Sequence, residues 1–110
     1  MATSNALSVE RGARDVRVRP DPELTAVQAS ALRGALDELL AEPAPMVLDL
    51  RALERVDACG LQLLLAFATA RRARGLVCSF DAANDVVRDA VSVSGLGQHL
   101  GLVLSEQAIA

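Results

Sequence analysis

Aromatic side chains are nearly absent from this chain of 110 residues, which has two Phe, no Trp and no Tyr. Single-stranded nucleic-acid binding relies on aromatic platforms for base stacking, so this scarcity argues against that function. The net charge of −3 at pH 7 likewise argues against nucleic acid or an anionic membrane as a partner. We therefore expect a core of Leu, Val and Ala and no nucleic-acid partner.

The residues that most often carry catalysis or metal binding are also few. His99 is the only histidine and has no second His or Cys at ligand spacing, so no metal site and no Ser/His/Asp triad is predicted. Cys59 and Cys78 are too few for a secreted disulfide scaffold. No phosphate-binding Gly-rich loop is present. The prediction is a protein without enzymatic activity and without a cofactor.

Long hydrophobic runs are missing as well. The longest, residues 60–70, is interrupted by Gln62 and Thr69 and is far short of the roughly 20 residues that span a bilayer. Met1 to Arg14 lacks the apolar centre of a signal peptide. With 52% hydrophobic residues, the chain is predicted to be a single globular domain in the cytoplasm, without direct membrane insertion.

Short apolar runs alternate with segments of helical periodicity. This alternation predicts an α/β domain in the order βαβαβα, with a mixed sheet and helices packed against it. Residues 1–14 are predicted to be flexible, 15–104 to form the domain and 105–110 to be a tail, with 96–104 a short helix or an edge strand. The predicted strands are Val16–Arg19, Met46–Leu50 and Leu76–Phe80, and the predicted helices are Thr25–Ala41, Gly60–Arg74 and Asn84–Val93.

Local signals refine these elements. Thr25 and Gln28 have the spacing of a capping box, and Gly75 is placed to end the second helix. The arginines just before Gly75 are interpreted as a solvated helix end: Arg71, Arg72 and Arg74. The side chains expected to be nearly fully buried are Leu48, Leu50, Leu61, Leu64, Leu65 and Val77.

The junction from Val56 to Leu61 stands out, because it follows a buried strand and opens a helix, where α/β proteins place binding sites. Free amide groups there favour anions, and Asp57 is well placed as the N-cap. Gly60 is predicted to allow either close packing or an unusual backbone angle. Cys59 is interpreted as a small buried side chain, with a reactive thiol at a helix N-terminus as the alternative.

Two stretches together resemble the central signature of STAS domains, which occur in bacterial anti-sigma factor antagonists and in sulphate-transporter tails. One is the strand ending in Leu48-Asp49-Leu50, and the other is Asp57-Ala58-Cys59-Gly60-Leu61 with its apolar continuation. Glu23-Leu24-Thr25 is similar to the family's entry to the first helix, with Pro22 in place of a glycine. The resemblance covers roughly Val16 to Leu100.

The resemblance implies a regulatory protein in signal transduction and transcription regulation. The best-known members of the family bind an anti-sigma factor kinase of histidine-kinase-like fold, which phosphorylates the hydroxyl residue just before the motif glycine. Cys59 occupies that position here and Ala58 precedes it, so the usual phosphoserine switch is predicted not to operate. Regulation would then lie in constitutive binding, in another hydroxyl such as Thr25 or in oxidation of Cys59.

We expect a protein partner to bind at Thr25, at Asp57, Ala58, Cys59, Gly60 and Leu61, and at the exposed side of the second helix with Gln62. Two alternatives are an adaptor subunit of a lipid-transport ABC system or chemosensory cluster, and a thiol redox sensor using Cys59. Homodimer formation is left open.

Overall fold

A mixed five-stranded sheet forms the centre of the computed structural model, which describes residues 2–3, 7–81 and 84–94. The strand order in this sheet is β1-β2-β3-β5-β7, and a second sheet pairs β4 with β6. The strands are β1 (Ala2–Thr3), β2 (Leu7–Arg11), β3 (Val16–Pro20), β4 (Glu23–Leu24), β5 (Met46–Asp49), β6 (Arg55–Val56) and β7 (Cys78–Asp81). The helices are α1 (Ala29–Asp37), α2 (Ala58–Ala73) and α3 (Asp85–Ser94). The predicted α/β class with helices on a mixed sheet is confirmed.

The sheet begins earlier than the sequence predicts. β2 pairs antiparallel with β3, with Leu7 opposite Pro20 and Arg11 opposite Val16, and Leu7 and Val9 are buried. The turn between them is closed by the Gly12 amide, which donates to the Asp15 carbonyl at 2.9 Å. The prediction of a flexible segment up to residue 14 is therefore wrong for β2, whose alternation is too short to be recognised without its partner strand.

The core lies between the sheet and the helices. β3, β5 and β7 run parallel to one another and alternate in burial, so one face is apolar and packs against α1 and α2. The burial predicted for Leu48, Leu50, Leu61 and Leu64 is confirmed. The central side chains of the core are Val16, Val18, Leu32, Leu36, Met46, Leu48, Leu64, Ala68, Cys78, Phe80 and Val87.

Two residues of the predicted core lie elsewhere. Val77 is 58% exposed, because Cys78 and Phe80 take the core face of β7 and the alternation turns Val77 outwards. Leu65 is half-buried, since the core stripe of α2 runs through Leu61, Leu64 and Ala68 and leaves Leu65 at its margin. β7 accordingly begins at Cys78 rather than at Leu76.

The outer face of the sheet is held by ion pairs around Asp49, which is 1% exposed. Arg17, Arg19 and Arg51 approach its Oδ2 at 3.0, 3.3 and 3.0 Å, and Arg17 and Arg51 also contact Asp81. Hydrogen bonds from Arg51, followed by those from Arg17 and Arg19, hold the pKa of Asp49 well below its usual range despite burial. The Asp of the Leu48-Asp49-Leu50 stretch therefore ties three strands and a loop together.

The C-terminal end of α2 contains a buried cation. Arg71 is fully buried, which contradicts its interpretation as part of a solvated helix end. Its guanidinium donates at 2.8–3.4 Å to five backbone carbonyls, those of Leu39, Leu40, Glu42, Ala44 and Val77. It thereby fixes the connection from α1 to β5. This role depends on residues about 30 positions away and is invisible in the local sequence.

The helix ends follow their predicted signals in part. Gly75 has a φ of 77° and closes α2, with its amide on the Arg72 carbonyl and that of Leu76 on the Arg71 carbonyl, as in a Schellman motif. Asn84 caps α3 through the Val86 amide at 2.7 Å and donates to the carbonyls of the loop after β5. The predictions for residues 96–104, for His99 and for the tail lie outside the described residues. No helix among residues 7–81 and 84–94 is long and apolar enough to cross a membrane.

Candidate functional site

The two-stranded sheet of β4 and β6 brings two distant segments together. Glu23 pairs with Arg55 and Leu24 with Val56 in parallel register, and the Asp57 amide donates to the Leu24 carbonyl at 3.2 Å. The turn that leads into α1 therefore lies beside the first turn of α2. The predicted site residues Thr25 and Asp57 are brought together by this pairing.

Asp57 is the N-cap of α2, as its sequence position predicts. Its Oδ1 accepts from the Gly60 amide at 3.0 Å, and its Oδ2 accepts from the Ala26 amide at 3.0 Å. The hydrogen bond from Gly60 lowers the pKa of Asp57 most, and those from Ala26 and Cys59 lower it further, against the opposing effect of burial. One carboxylate thus accepts hydrogen bonds from the first turn of α2 and from the turn before α1.

Gly60 is required by the closeness of the two segments. A Cβ at this position would lie 2.3 Å from the Leu24 carbonyl oxygen and 2.7 Å from Leu24 Cγ. The backbone of β4 therefore rests directly on α2 at Gly60. Of the two explanations that the sequence left open, close packing applies, because Gly75 is the only glycine with a positive φ among the described residues.

The rest of the motif divides between surface and core. The side chains of Ala58, Cys59 and Gln62 are exposed, and Leu61 is 1% exposed. The interpretation of Cys59 as a small buried side chain is wrong, since its position on the first turn of α2 points it to solvent. Leu61 lies on the core stripe, so the surface of this turn is formed by small and polar side chains.

Thr25 and Gln28 interact as half of the predicted capping box. The Gln28 Oε1 accepts from the Thr25 amide at 3.1 Å and from the Thr25 hydroxyl. The helix itself begins only at Ala29, because residues 26–28 form a tighter turn in which the Ala29 amide donates to the Ala26 carbonyl. The half-buried Thr25 hydroxyl is therefore already engaged with a neighbouring side chain.

Ala26 and Val27 are neighbours of the motif that no sequence signal indicates. Val27 is 86% exposed and borders a shallow depression of ≈510 Å³ that also includes Thr25, Asp57 and Val86. Recognising this would require the contact between Asp57 and Ala26, which spans 31 residues. No group of three or more His, Cys, Asp or Glu side chains within residues 7–81 and 84–94 is arranged to hold a metal ion.

A family model described as "Mlab, STAS domain" matches residues 7–104. The chain belongs to the STAS-domain family. The match begins at the first residue of β2, in agreement with the earlier start of the sheet. No curated protein sequence shows a significant match to this STAS domain.

Solved structures with the same fold include a proposed anti-sigma factor antagonist of Thermotoga maritima, with a TM-score of 0.69 and 19% identity, over 84% of this chain and 80% of that one. An anti-sigma factor antagonist of Mycobacterium paratuberculosis has a TM-score of 0.67 and 24% identity, over 88% and 92% of the two chains. The phosphorylated form of the Bacillus cell fate determinant SpoIIAA has a TM-score of 0.62 and 21% identity, over 84% and 86%. These likenesses establish that the STAS domain shares their fold.

Proposed function

We propose that this STAS domain is a non-enzymatic, cytoplasmic regulator that binds a protein partner through the first turn of α2 and the turn before α1. The observation that carries the proposal is the exposed surface of Ala58, Cys59 and Gln62, held in a fixed position by Asp57 and Gly60. Its partner is an anti-sigma factor kinase of histidine-kinase-like fold, in keeping with the anti-sigma factor antagonists that share the fold.

Loss of the phosphorylation switch is the second part of the proposal. Neither Ala58 nor Cys59 offers a hydroxyl, and the Thr25 hydroxyl donates to Gln28. Phosphorylation acts by adding nearly two negative charges, and a thiol is not an ordinary acceptor for such a kinase. The partner is therefore bound without release by phosphate at position 59.

Binding is tested with the histidine-kinase-fold anti-sigma factors of the source genome, purified one by one and titrated against the full chain. Gln62→Arg should weaken binding about tenfold, because it places a bulky cation in the interface. Thr69→Arg is the matched control, since Thr69 is exposed on the same helix two turns further on. Equal binding by both variants, or binding by no anti-sigma factor, would contradict the proposed interface and partner.

The loss of the phosphorylation switch is tested with the kinase that binds in the titration. This kinase and ATP are incubated with the parent chain and, separately, with the Cys59→Ser variant. The parent should carry no phosphate at residues 57–62, whereas Cys59→Ser, which restores the hydroxyl, should become phosphorylated there. Cys59→Asp should weaken binding by mimicking a permanent charge. Mass spectrometry locates the phosphate, and a stoichiometric phosphate on Cys59 of the parent would refute this part of the proposal.

A second candidate is an adaptor subunit of a larger assembly, such as a lipid-transport ABC system. A constitutive interface needs no acceptor hydroxyl, and the lack of one at positions 58 and 59 favours this candidate. It predicts that the chain co-purifies in fixed stoichiometry with a transport ATPase of the same genome. Binding to a purified anti-sigma factor and to no such ATPase would exclude it.

A further inference from the structure

The Asp57 carboxylate joins the first turn of α2 to Ala26, which lies 31 residues before Asp57 in the chain. Through Oδ1 it holds the Gly60 amide of α2, and through Oδ2 it holds the Ala26 amide of the turn before α1, both at 3.0 Å. The Ala26 amide is adjacent to Val27, whose side chain is 86% exposed. The position of Val27 at the surface thus depends on the hydrogen bond that the Ala26 amide donates to Asp57 in the motif of α2.

We infer that Asp57 is a positioning residue that couples the chemical state of residue 59 to the position of the turn around Val27. The inference rests on the proposed function, since it describes how the same surface is held in position, and a charge added at residue 59 by a reagent serves as its experimental probe. Cys59 lies two residues from Asp57 in the first turn of α2, and its side chain is exposed. A negative charge added there repels the Asp57 carboxylate. Because the Gly60 amide lies on the same helix turn and keeps its bond to Oδ1, the bond that Oδ2 accepts from the Ala26 amide, outside the helix, is the one expected to weaken.

The close contact between Gly60 and Leu24 restricts how the segments can respond. Because the Leu24 backbone already touches α2 at Gly60, β4 cannot move closer to the helix. The turn that follows β4 is attached to α2 at Ala26 by the Asp57 carboxylate. A weaker Asp57 hydrogen bond therefore loosens residues 26–28 while the pairing of β4 with β6 stays in place.

Two substitutions distinguish the roles of the two Asp57 carboxylate oxygens. Asn at position 57 keeps one acceptor oxygen for the Gly60 amide, since Asn is as good an N-cap as Asp, but its NH₂ group cannot accept from Ala26. In Asp57→Asn, amide exchange at Ala26 should rise about tenfold while Gly60 stays protected. In Asp57→Ala, both amides should lose protection. Exchange is measured by NMR on the full chain, and unchanged exchange at Ala26 in Asp57→Asn would overturn the inference.

The coupling to residue 59 is tested by alkylating the exposed thiol. The Cys59 thiolate attacks the methylene carbon of either reagent, so that an S–C bond forms and iodide leaves. Iodoacetate thereby adds a charged carboxymethyl group, and iodoacetamide adds a neutral group of nearly the same size. Cys78 is 2% exposed and burial raises the pKa of its thiol, so mass spectrometry should show one adduct. In the parent chain, the charged adduct should raise the amide exchange rate at Ala26 several-fold, and the neutral adduct should leave it unchanged. In Asp57→Asn, neither adduct should change the exchange rate at Ala26.

The coupling would be overturned if the two adducts changed amide exchange at Ala26 equally. It would also be overturned if the effect of the charged adduct persisted in Asp57→Asn. No partner protein takes part in these measurements. The coupling can therefore fail while an anti-sigma factor binds, and it can hold while no anti-sigma factor binds, so its failure and that of the proposed function are distinguishable.

Discussion

At its first turn α2 is held by the Asp57 carboxylate, which accepts from two amides, whereas near its last turn the Arg71 guanidinium donates to five carbonyls. Asp57 is half-buried and its neighbours Ala58 and Cys59 are exposed, while Arg71 is fully buried. The N-terminal end of α2 therefore contributes an exposed surface, and the C-terminal end stabilises the fold. Substitutions at the C-terminal end should accordingly lower the free energy of unfolding more than substitutions at the N-terminal end.

The largest loss of stability is expected at the C-terminal end. Arg71→Ala removes the donor for five carbonyls, and a buried acceptor without a partner costs about 1–3 kcal/mol. Some of these carbonyls have a second donor, so we expect a total of about 3–5 kcal/mol. Urea unfolding measures it. The exposed Arg74 is the control, and Arg74→Ala should change the free energy of unfolding by less than about 0.5 kcal/mol.

A smaller loss is expected at the N-terminal end from Gly60→Ala. The new methyl group would collide with the Leu24 carbonyl, and such overpacking costs about 1–3 kcal/mol. Gly34→Ala is the matched control in α1, where a Cβ would meet no atom within 4 Å, and it should stabilise the chain by about 0.5–1 kcal/mol. If both alanines shift the unfolding midpoint in the same direction, the contact with Leu24 is not restrictive.

The pH dependence of the Asp57 contribution is a still smaller effect. Because the pKa of Asp57 is lowered in the folded state, its stabilisation is fully present above about pH 4, the ordinary value for Asp. It declines as the pH falls from there towards the folded-state pKa. The difference in unfolding free energy between the parent and Asp57→Asn should therefore shrink below pH 4. Asp37→Asn, at an exposed position of α1, serves as the control.

The smallest effect is expected at Cys59. Its side chain is exposed, so Cys59→Ser should change the free energy of unfolding by no more than about 0.5 kcal/mol. Cys78→Ser is the contrasting variant, because Cys78 is part of the core and a hydroxyl there would be buried. Thermal unfolding of the two variants measures the difference. A Cys59→Ser variant as unstable as Cys78→Ser would place Cys59 in the core.

The same comparison shows how far the sequence predicts the molecule. Asp57 as N-cap and Gly75 as the end of α2 follow from rules that act within a few residues, and both are confirmed. The burial of Arg71 and the hydrogen bond from Ala26 to Asp57 join positions about 30 residues apart, which no local pattern encodes. The prediction that Val77 is buried is wrong because a one-residue change of register moves a strand side chain to the opposite face of the sheet.

The contact between Gly60 and Leu24 also bears on how such a chain can change over evolutionary time. Position 60 admits no side chain, because any Cβ meets the backbone of β4, whereas the side chains at 58 and 59 meet solvent. Mutational drift at 58 and 59 is therefore nearly free of structural penalty. A lineage can lose or regain a hydroxyl at these two positions while its fold persists, so the presence of a switch and the presence of the fold are inherited separately.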